Sequence, residues 1–282
     1  MKVVLAGAYG NLGADIFKTL LKEGHEVVAL DMMQRDLELS GNYSFTKVDV
    51  TKPETLKGTC DGADVVITTV GLTKGSATIS NYDIDYQGNL NILNEAKKAG
   101  VKHFTYISVI KADMAPKVPM VHAKFLFEQK LKESGLTYVI HRPTGYFYDI
   151  VKVFRPMIEK GEVTLLGKEP VYCNVISTEN FADFIVKHML DENQTYSIGG
   201  TETYSYEDIA RMCFEAAGKE PVIKRAPVWL FDVLAFVNKL KKNGKEPLIR
   251  FSKFTLSQDM VGSTRYGDMS FAQYIKDNFN KK

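Results

Sequence analysis

The chain has 282 residues, 45% of them hydrophobic and 25% charged, with 36 Lys and Arg against 34 Asp and Glu for a formal charge of +2. That balance excludes the strongly basic footprint of a nucleic-acid-binding protein, and the length suits a main domain with a smaller appendage. Cys60, Cys173 and Cys213 are too scattered for a disulfide framework or a metal site, the N-terminus lacks a signal-peptide pattern, and no apolar run approaches a membrane span, which together point to the cytoplasm.

Val3 to Ala6 reads as a buried parallel strand, and Leu12, Ile16 and Leu20 follow it at the spacing of a helix stripe. Between them lies Gly7-Ala8-Tyr9-Gly10-Asn11-Leu12-Gly13. In a strand-to-helix turn of this kind the first glycine permits the tight turn, the second lets a pyrophosphate approach the backbone, and the third lets the helix pack against the strand. The open N–H groups at the helix start then face the anion. A second strand, Glu26 to Asp31, ends in a carboxylate 24 residues after Gly7, where such folds hold the adenosine ribose. The plainer alternative is a ligand-free glycine turn, with Asp31 capping the bend that follows.

The alternation continues. Phe45 to Val50 is a third strand, and Thr51 with Glu54 forms a capping box for a short helix holding Pro53. Ala63 to Gly71 is a fourth strand, Asn81 to Ala99 a long helix closed by Gly100, and Val101 to Ser108 a fifth strand. Pro119 to Ser134 is a helix ending at Gly135, and Leu136 to Arg142 the sixth strand. Strands alternating with helices at this spacing predict an α/β fold: a doubly wound parallel sheet of the Rossmann type that binds NAD(P), over residues 1–150.

Beyond Pro143 the rhythm loosens. Short strands are expected at Val163 to Leu166, Val171 to Ile176 and Thr195 to Ile198, with helices over Glu179 to Leu190 and Tyr206 to Ala217, the latter capped by Ser205 and Asp208. Residues 151–282 are therefore a smaller α/β substrate region, partly interleaved with the first, and a small-molecule substrate is expected in the crevice between the two. Pro227 to Leu240 is strongly apolar and runs into Lys241 and Lys242. It is either a core, lid or dimer-contact helix, or a membrane-surface or protein contact through 227–242.

Gly7, Gly10 and Gly13, spaced G-x-x-G-x-x-G, make the chain resemble the extended and atypical short-chain dehydrogenase/reductase superfamily, in its NmrA-like and epimerase-like branches. Asp49-Val50, the run Asp64 to Gly71, the run Gly100 to Ser108 and the run Leu131 to Pro143 are similar to further family segments. The resemblance implies cofactor contacts from Gly7, Tyr9, Gly10, Asn11, Leu12, Asp31, Asp49, Val50, Thr69, Val70, Gly71, Ser108, Lys124 and Pro143, with no metal. The family's catalytic signature is Tyr-x-x-x-Lys with a Ser ending the fifth strand. This chain keeps Ser108 and Lys124, the catalytic candidates, but has Met120 in place of the tyrosine. A thioether has no proton to give. His122 lies two helical positions from Lys124 and faces elsewhere, while Tyr146 and Tyr148 follow Pro143 on a loop. In the plain reading, Ser108 merely ends a strand and Lys124 pairs with Glu128 one turn on.

A carboxylate at Asp31 repels a 2′-phosphate, so NAD(H) is the expected cofactor and NADP(H) the alternative, with Arg35 as the residue that would admit it. The resemblance implies an NAD(P)-dependent oxidoreductase acting on a small carbonyl, quinone or enone-like substrate. The alternative is a non-catalytic NAD(P)-binding redox sensor, regulator or assembly factor, which the missing tyrosine suits. A third reading is nucleotide-sugar epimerisation or dehydration, chemistry that normally relies on that tyrosine.

Overall fold

The computed structural model describes residues 1–72 and 76–280. Its elements begin β1 (Lys2–Ala6), α1 (Asn11–Lys22), β2 (Glu26–Asp31), β3 (Tyr43–Lys47), β4 (Val65–Thr68), α2 (Asn89–Lys98), β5 (His103–Ile107), α3 (Pro119–Lys132) and β6 (Thr137–Pro143). They continue as α4 (Phe147–Glu159), β7 (Val163–Leu166), β8 (Tyr172–Cys173), α5 (Thr178–His188), β9 (Gln194–Gly199), β10 (Tyr204–Ser205) and α6 (Tyr206–Ala216). The last are β11 (Ile223–Ala226), α7 (Leu230–Leu240), α8 (Glu246–Leu256), β12 (Thr264–Arg265) and α9 (Phe271–Asn278).

The chain divides into two compact units, one of residues 1–142 with 181–196 and the other of residues 143–180 with 197–282. In the first unit the strands run in the order β3-β2-β1-β4-β5-β6, and every one of these pairings is parallel. The β1–β2, β4–β5 and β5–β6 crossovers carry α1, α2 and α3, whereas residues 32–42 link β2 to β3 without a helix and β3 reaches β4 through a 3-10 turn at Pro53–Leu56. Val3, Val4, Leu5 and Ala6 of β1 are all fully buried, because a parallel strand flanked by helices hides both of its faces. Ile16, Phe17 and Leu20 bring the α1 stripe into the core, while Ile92, Leu93 and Ala96 do the same for α2. The fold is the mostly parallel α/β architecture of the Rossmann type.

In the second unit β7 pairs in parallel with β11, β8 antiparallel with β10, and the end of β9 with β12. Buried Asn174 knits its loops: its amide donates to the carbonyls of Gly200 and Gly262, and its own oxygen accepts from the Gly262 N–H. The capping box of Ser205 and Asp208 opens α6 as the sequence predicts.

Several local expectations need correction. β3 starts at Tyr43 and ends at Lys47, ahead of the predicted span. The Thr51–Glu54 capping box does not form: the Thr51 hydroxyl donates instead to the Asp49 carboxylate at 2.7 Å, and Lys52 precedes a single 3-10 turn at Pro53–Leu56. The long helix after β4 opens as a π-helical stretch, Tyr82–Gly88, before becoming α2. Tyr148 lies on α4 and Tyr146 at its start, stacked ring on ring at 5.7 Å, so Tyr148 belongs to a helix and not to a loop. Helix α7 is not a core helix, since Ala235 is its one buried residue.

Candidate active site

The glycine loop is compact for a reason visible in its atoms. Gly7 has φ +79°, a left-handed conformation, and a Cβ there would stand 2.5 Å from the Thr69 hydroxyl. A Cβ on Gly13 would lie 1.9 Å from the Gly7 carbonyl oxygen, so only glycine lets α1 begin this close to the loop. The loop is pinned from both sides: the Gly7 N–H donates to the Leu30 carbonyl at 2.8 Å, and the Thr69 hydroxyl donates to the carbonyls of Ala6 and Gly7. Gly10 precedes α1 with no side-chain cap, and Gly10 and Asn11 are exposed while Leu12 is buried. An uncapped helix N-terminus, open to solvent beside a bare backbone turn, fits a diphosphate.

Asp31 stands at the end of β2 with both carboxylate oxygens held. One accepts from the Tyr9 N–H at 2.9 Å and the other from the Met32 N–H at 2.7 Å. Asp31 thus does cap the bend that follows, and it also ties that bend to the glycine loop. Tyr9 contributes its backbone; its ring is buried edge-on between Phe17 and Phe45, where burial raises its phenol pKa. Asp49 turns its carboxylate back onto Thr51, whose hydrogen bond holds the acid below its usual range. The Val50 carbonyl accepts from the Asn91 amide at 2.8 Å.

At the end of β4, Thr69, Val70 and Gly71 are braced by Asn89, which accepts from the Thr68 hydroxyl at 2.7 Å and donates to the Val70 carbonyl at 3.2 Å. Gly71 is again sterically compelled: a Cβ would sit 2.8 Å from Asp85 and 3.2 Å from the Lys124 ammonium. Lys124 does not pair with Glu128, as the plain reading had it. Its Nζ lies 3.3 Å from buried Asp85, donates to the Ile107 carbonyl at 3.2 Å and stands 5.4 Å from the Tyr106 ring centroid. The other Asp85 oxygen accepts from the Asn81 amide and the Leu72 N–H. The buried Tyr106 phenol is held protonated, its pKa driven up by burial and then by the charges of Asp85 and Glu128.

Ser108 has a different attachment. Its hydroxyl donates to Glu128 at 2.5 Å, and the fully buried Glu128 also receives the Arg142 guanidinium, Nε to one oxygen at 3.0 Å and Nη2 to the other at 2.7 Å. Burial pulls the Arg142 pKa down, but the Glu128 hydrogen bonds and charge outweigh it and leave it raised. Met120 is on the first turn of α3, and His122 hydrogen-bonds the Tyr82 hydroxyl at 3.0 Å, away from Lys124.

The first unit therefore gathers the glycine loop, Asp31, Asp49, Val50, Thr69, Val70, Gly71, Ser108 and Lys124, whereas Pro143 falls in the second. Sequence reasoning missed Asp85, Arg142 and Asn89, and it gave Glu128 to Lys124 rather than to Ser108 and Arg142. A usable signal existed for two of them: Asp85 and Asn89 lie four residues apart, on one face of the helical segment predicted after β4, and both are fully buried. Chemically, the first unit offers an uncapped helix N-terminus at a bare backbone turn, the Asp31 carboxylate and the Lys124 ammonium. With its hydroxyl engaged by Glu128, Ser108 presents no free proton.

Residues 7–192 match the family described as NAD(P)H-binding. The chain is 26% identical over 234 residues to the photosystem II assembly factor Ycf39 of Synechocystis, covering 81% of this chain and 71% of that one. It is 29% identical over 264 residues to the chloroplastic divinyl chlorophyllide a 8-vinyl-reductase of Arabidopsis thaliana, covering 82% of this chain and 61% of that one. Among solved structures, the NADPH-dependent quinone oxidoreductase QOR2 of Escherichia coli superposes with a TM-score of 0.71 at 19% identity, over 99% of this chain and all of the other. With about two thirds of its length matched, and with the glycine cradle in place, the chain belongs to the NAD(P)H-binding family.

Proposed function

We propose that the protein is an NAD(P)H-dependent reductase of a conjugated acceptor, a quinone or an enone-like double bond. The observation that carries this reading is the state of its three signature positions: Lys124 is retained and paired with buried Asp85, Ser108 is tied to Glu128, and Met120 has no acidic proton. The bound dinucleotide would supply the hydride. Gly7 to Leu12 would hold its diphosphate, Asp31 its adenosine ribose and Lys124 its nicotinamide ribose. A conjugated acceptor suits a site with no poised acid, because it spreads the charge left by the hydride and can take its proton from water. The relatives named for vinyl reduction and for quinone oxidoreduction support the same acceptor class. Asp31 favours NADH over NADPH.

The test is spectrophotometric oxidation of NADH with a panel of quinones and enones, run beside cofactor titration of the wild type and Lys124→Ala. Turnover that vanishes in the variant supports the reading, and tight cofactor binding without turnover on any acceptor overturns it. A second reading has its own observation. Because Ser108 is locked to the Glu128–Arg142 pair, the site could hold a dinucleotide without reacting, as in a cofactor-binding assembly factor, the role printed in the name of the Synechocystis relative. Recovery of a defined protein partner with an affinity altered by NADH would favour it.

A further inference from the structure

Helix α7 presents an apolar face to water. Trp229 at its start is 61% exposed, Phe236 60% and Leu240 67%, and Val233 and Val237 lie beside them. At 100° per residue these five positions fall within an arc of about 100°, while Ala235, the buried residue, points the opposite way. An unpartnered stripe of this kind is uncommon on a soluble surface. The charge around it is one-sided. Residues 229–253 contain six Lys and Arg against two acids, a formal +4, in a chain whose total is +2, so the remainder is net negative. Both acids are neutralised within the hairpin, Asp232 by Lys253 and Glu246 by Arg250. Lys239, Lys241, Lys242 and Lys245 are exposed and have no acidic partner among the described residues.

We propose that α7 is an interfacial helix that lays this face on an anionic lipid bilayer, with the four lysines meeting the headgroups. A sole tryptophan beside an apolar stripe, with a basic rim, has the composition of a helix lying in the interface plane. Positive charge complements an anionic leaflet, whereas the two acids of the hairpin, Asp232 and Glu246, are already paired with Lys253 and Arg250 and leave no counter-charge here for the basic patch of another copy. Eleven residues span about 16 Å, too short to cross a hydrocarbon core of about 30 Å, so the helix lies flat.

The chain carries a single tryptophan, Trp229, so its emission reports the face directly. The full chain is mixed with vesicles of phosphatidylcholine alone, or of phosphatidylcholine with phosphatidylglycerol, and followed by tryptophan fluorescence and co-sedimentation. The expected result is a blue shift and sedimentation on the anionic vesicles, weakened by added salt. Phe236→Glu with Leu240→Glu, and separately Lys241→Glu with Lys242→Glu, should each lower vesicle affinity at least tenfold. Circular dichroism and NADH binding of both variants should match the wild type, since every substituted position is exposed. Absence of shift and sedimentation on anionic vesicles overturns the proposal. So does self-association in buffer that Phe236→Glu with Leu240→Glu abolishes, for the face would then belong to a second copy, and so does vesicle binding that both variants leave unchanged.

Discussion

Removing the Glu128 carboxylate tests how the site is held together. Glu128 has no solvent exposure and accepts three hydrogen bonds, from the Ser108 hydroxyl and from two guanidinium nitrogens of Arg142. In Glu128→Ala the guanidinium, only 13% exposed, keeps a single ion pair, to Asp113 at 3.3 Å. That partner is half exposed and offsets little. Breaking a buried pair from one side costs about 3–5 kcal/mol, a large part of a typical stability of about 5–15 kcal/mol. The Ser108 hydroxyl loses its acceptor as well, which favours the upper part of that range. Replacing both charges removes the uncompensated cation, so Glu128→Ala with Arg142→Met should be less damaging than Glu128→Ala alone. Urea unfolding followed by far-ultraviolet circular dichroism measures all four corners of this cycle. A single variant within about 1 kcal/mol of wild type, or strictly additive costs, would refute the idea that the pair is an interdependent buried unit.

Other expectations follow from the same geometry. His141 is fully buried, ringed by Phe181, Phe184 and Tyr196, and neither ring nitrogen has a hydrogen-bond partner among the described residues; burial, then the nearby His188 charge, pushes its pKa down to about 3. The unfolded chain takes up that proton below about pH 6.5 while the folded chain does not, so stability falls as pH drops through the window between about 6.5 and 3, by about 2 kcal/mol at pH 5. His141→Leu should flatten the pH dependence of the unfolding midpoint across that window; an unchanged slope would contradict the assignment. Gly13→Ala should abolish or severely weaken dinucleotide binding, because its Cβ meets the Gly7 carbonyl at 1.9 Å, and near-normal calorimetric affinity would show that the loop yields. Asp31→Ser should narrow the preference for NADH over NADPH: two like charges about 4 Å apart at an effective dielectric of about 20 repel by roughly 4 kcal/mol, an upper bound near a thousandfold. Equal affinities in the wild type, by fluorescence titration, would remove that argument.

What the sequence revealed depended on the range of the interaction. β1, β2 and the start of α1 are legible because the glycine spacing and the apolar runs are contiguous, and Ser205 with Asp208 is legible because a capping box is closed within four residues. The partners of Lys124 were not. Glu128 is its neighbour one helical turn away, yet Arg142 from β6 claims that carboxylate and Asp85 from the segment after β4 claims the lysine, and both choices are set by tertiary packing. Helices α4, α8 and α9 escaped for a related reason. The buried stripe of α4, Phe147, Val151, Phe154 and Ile158, is regular but carries Pro156, which reads as a helix breaker, and the helix is fixed by packing across elements, as when Phe147 meets Phe271 of α9 at 4.8 Å.

The π-helical stretch at Tyr82–Gly88 gives the lysine's setting a dependence on chain length as well as on residue identity. It holds one surplus residue per turn relative to a regular helix. Deleting exposed Gln87 would let the segment rewind while Leu93 and Ala96 keep α2 anchored in the core. Each residue of a regular helix is worth about 100° of rotation, so Asp85 would swing roughly that far from the Lys124 ammonium. A deletion that touches neither charge would then separate them, leaving an ammonium without its counter-ion in a protein whose strands are all still in register.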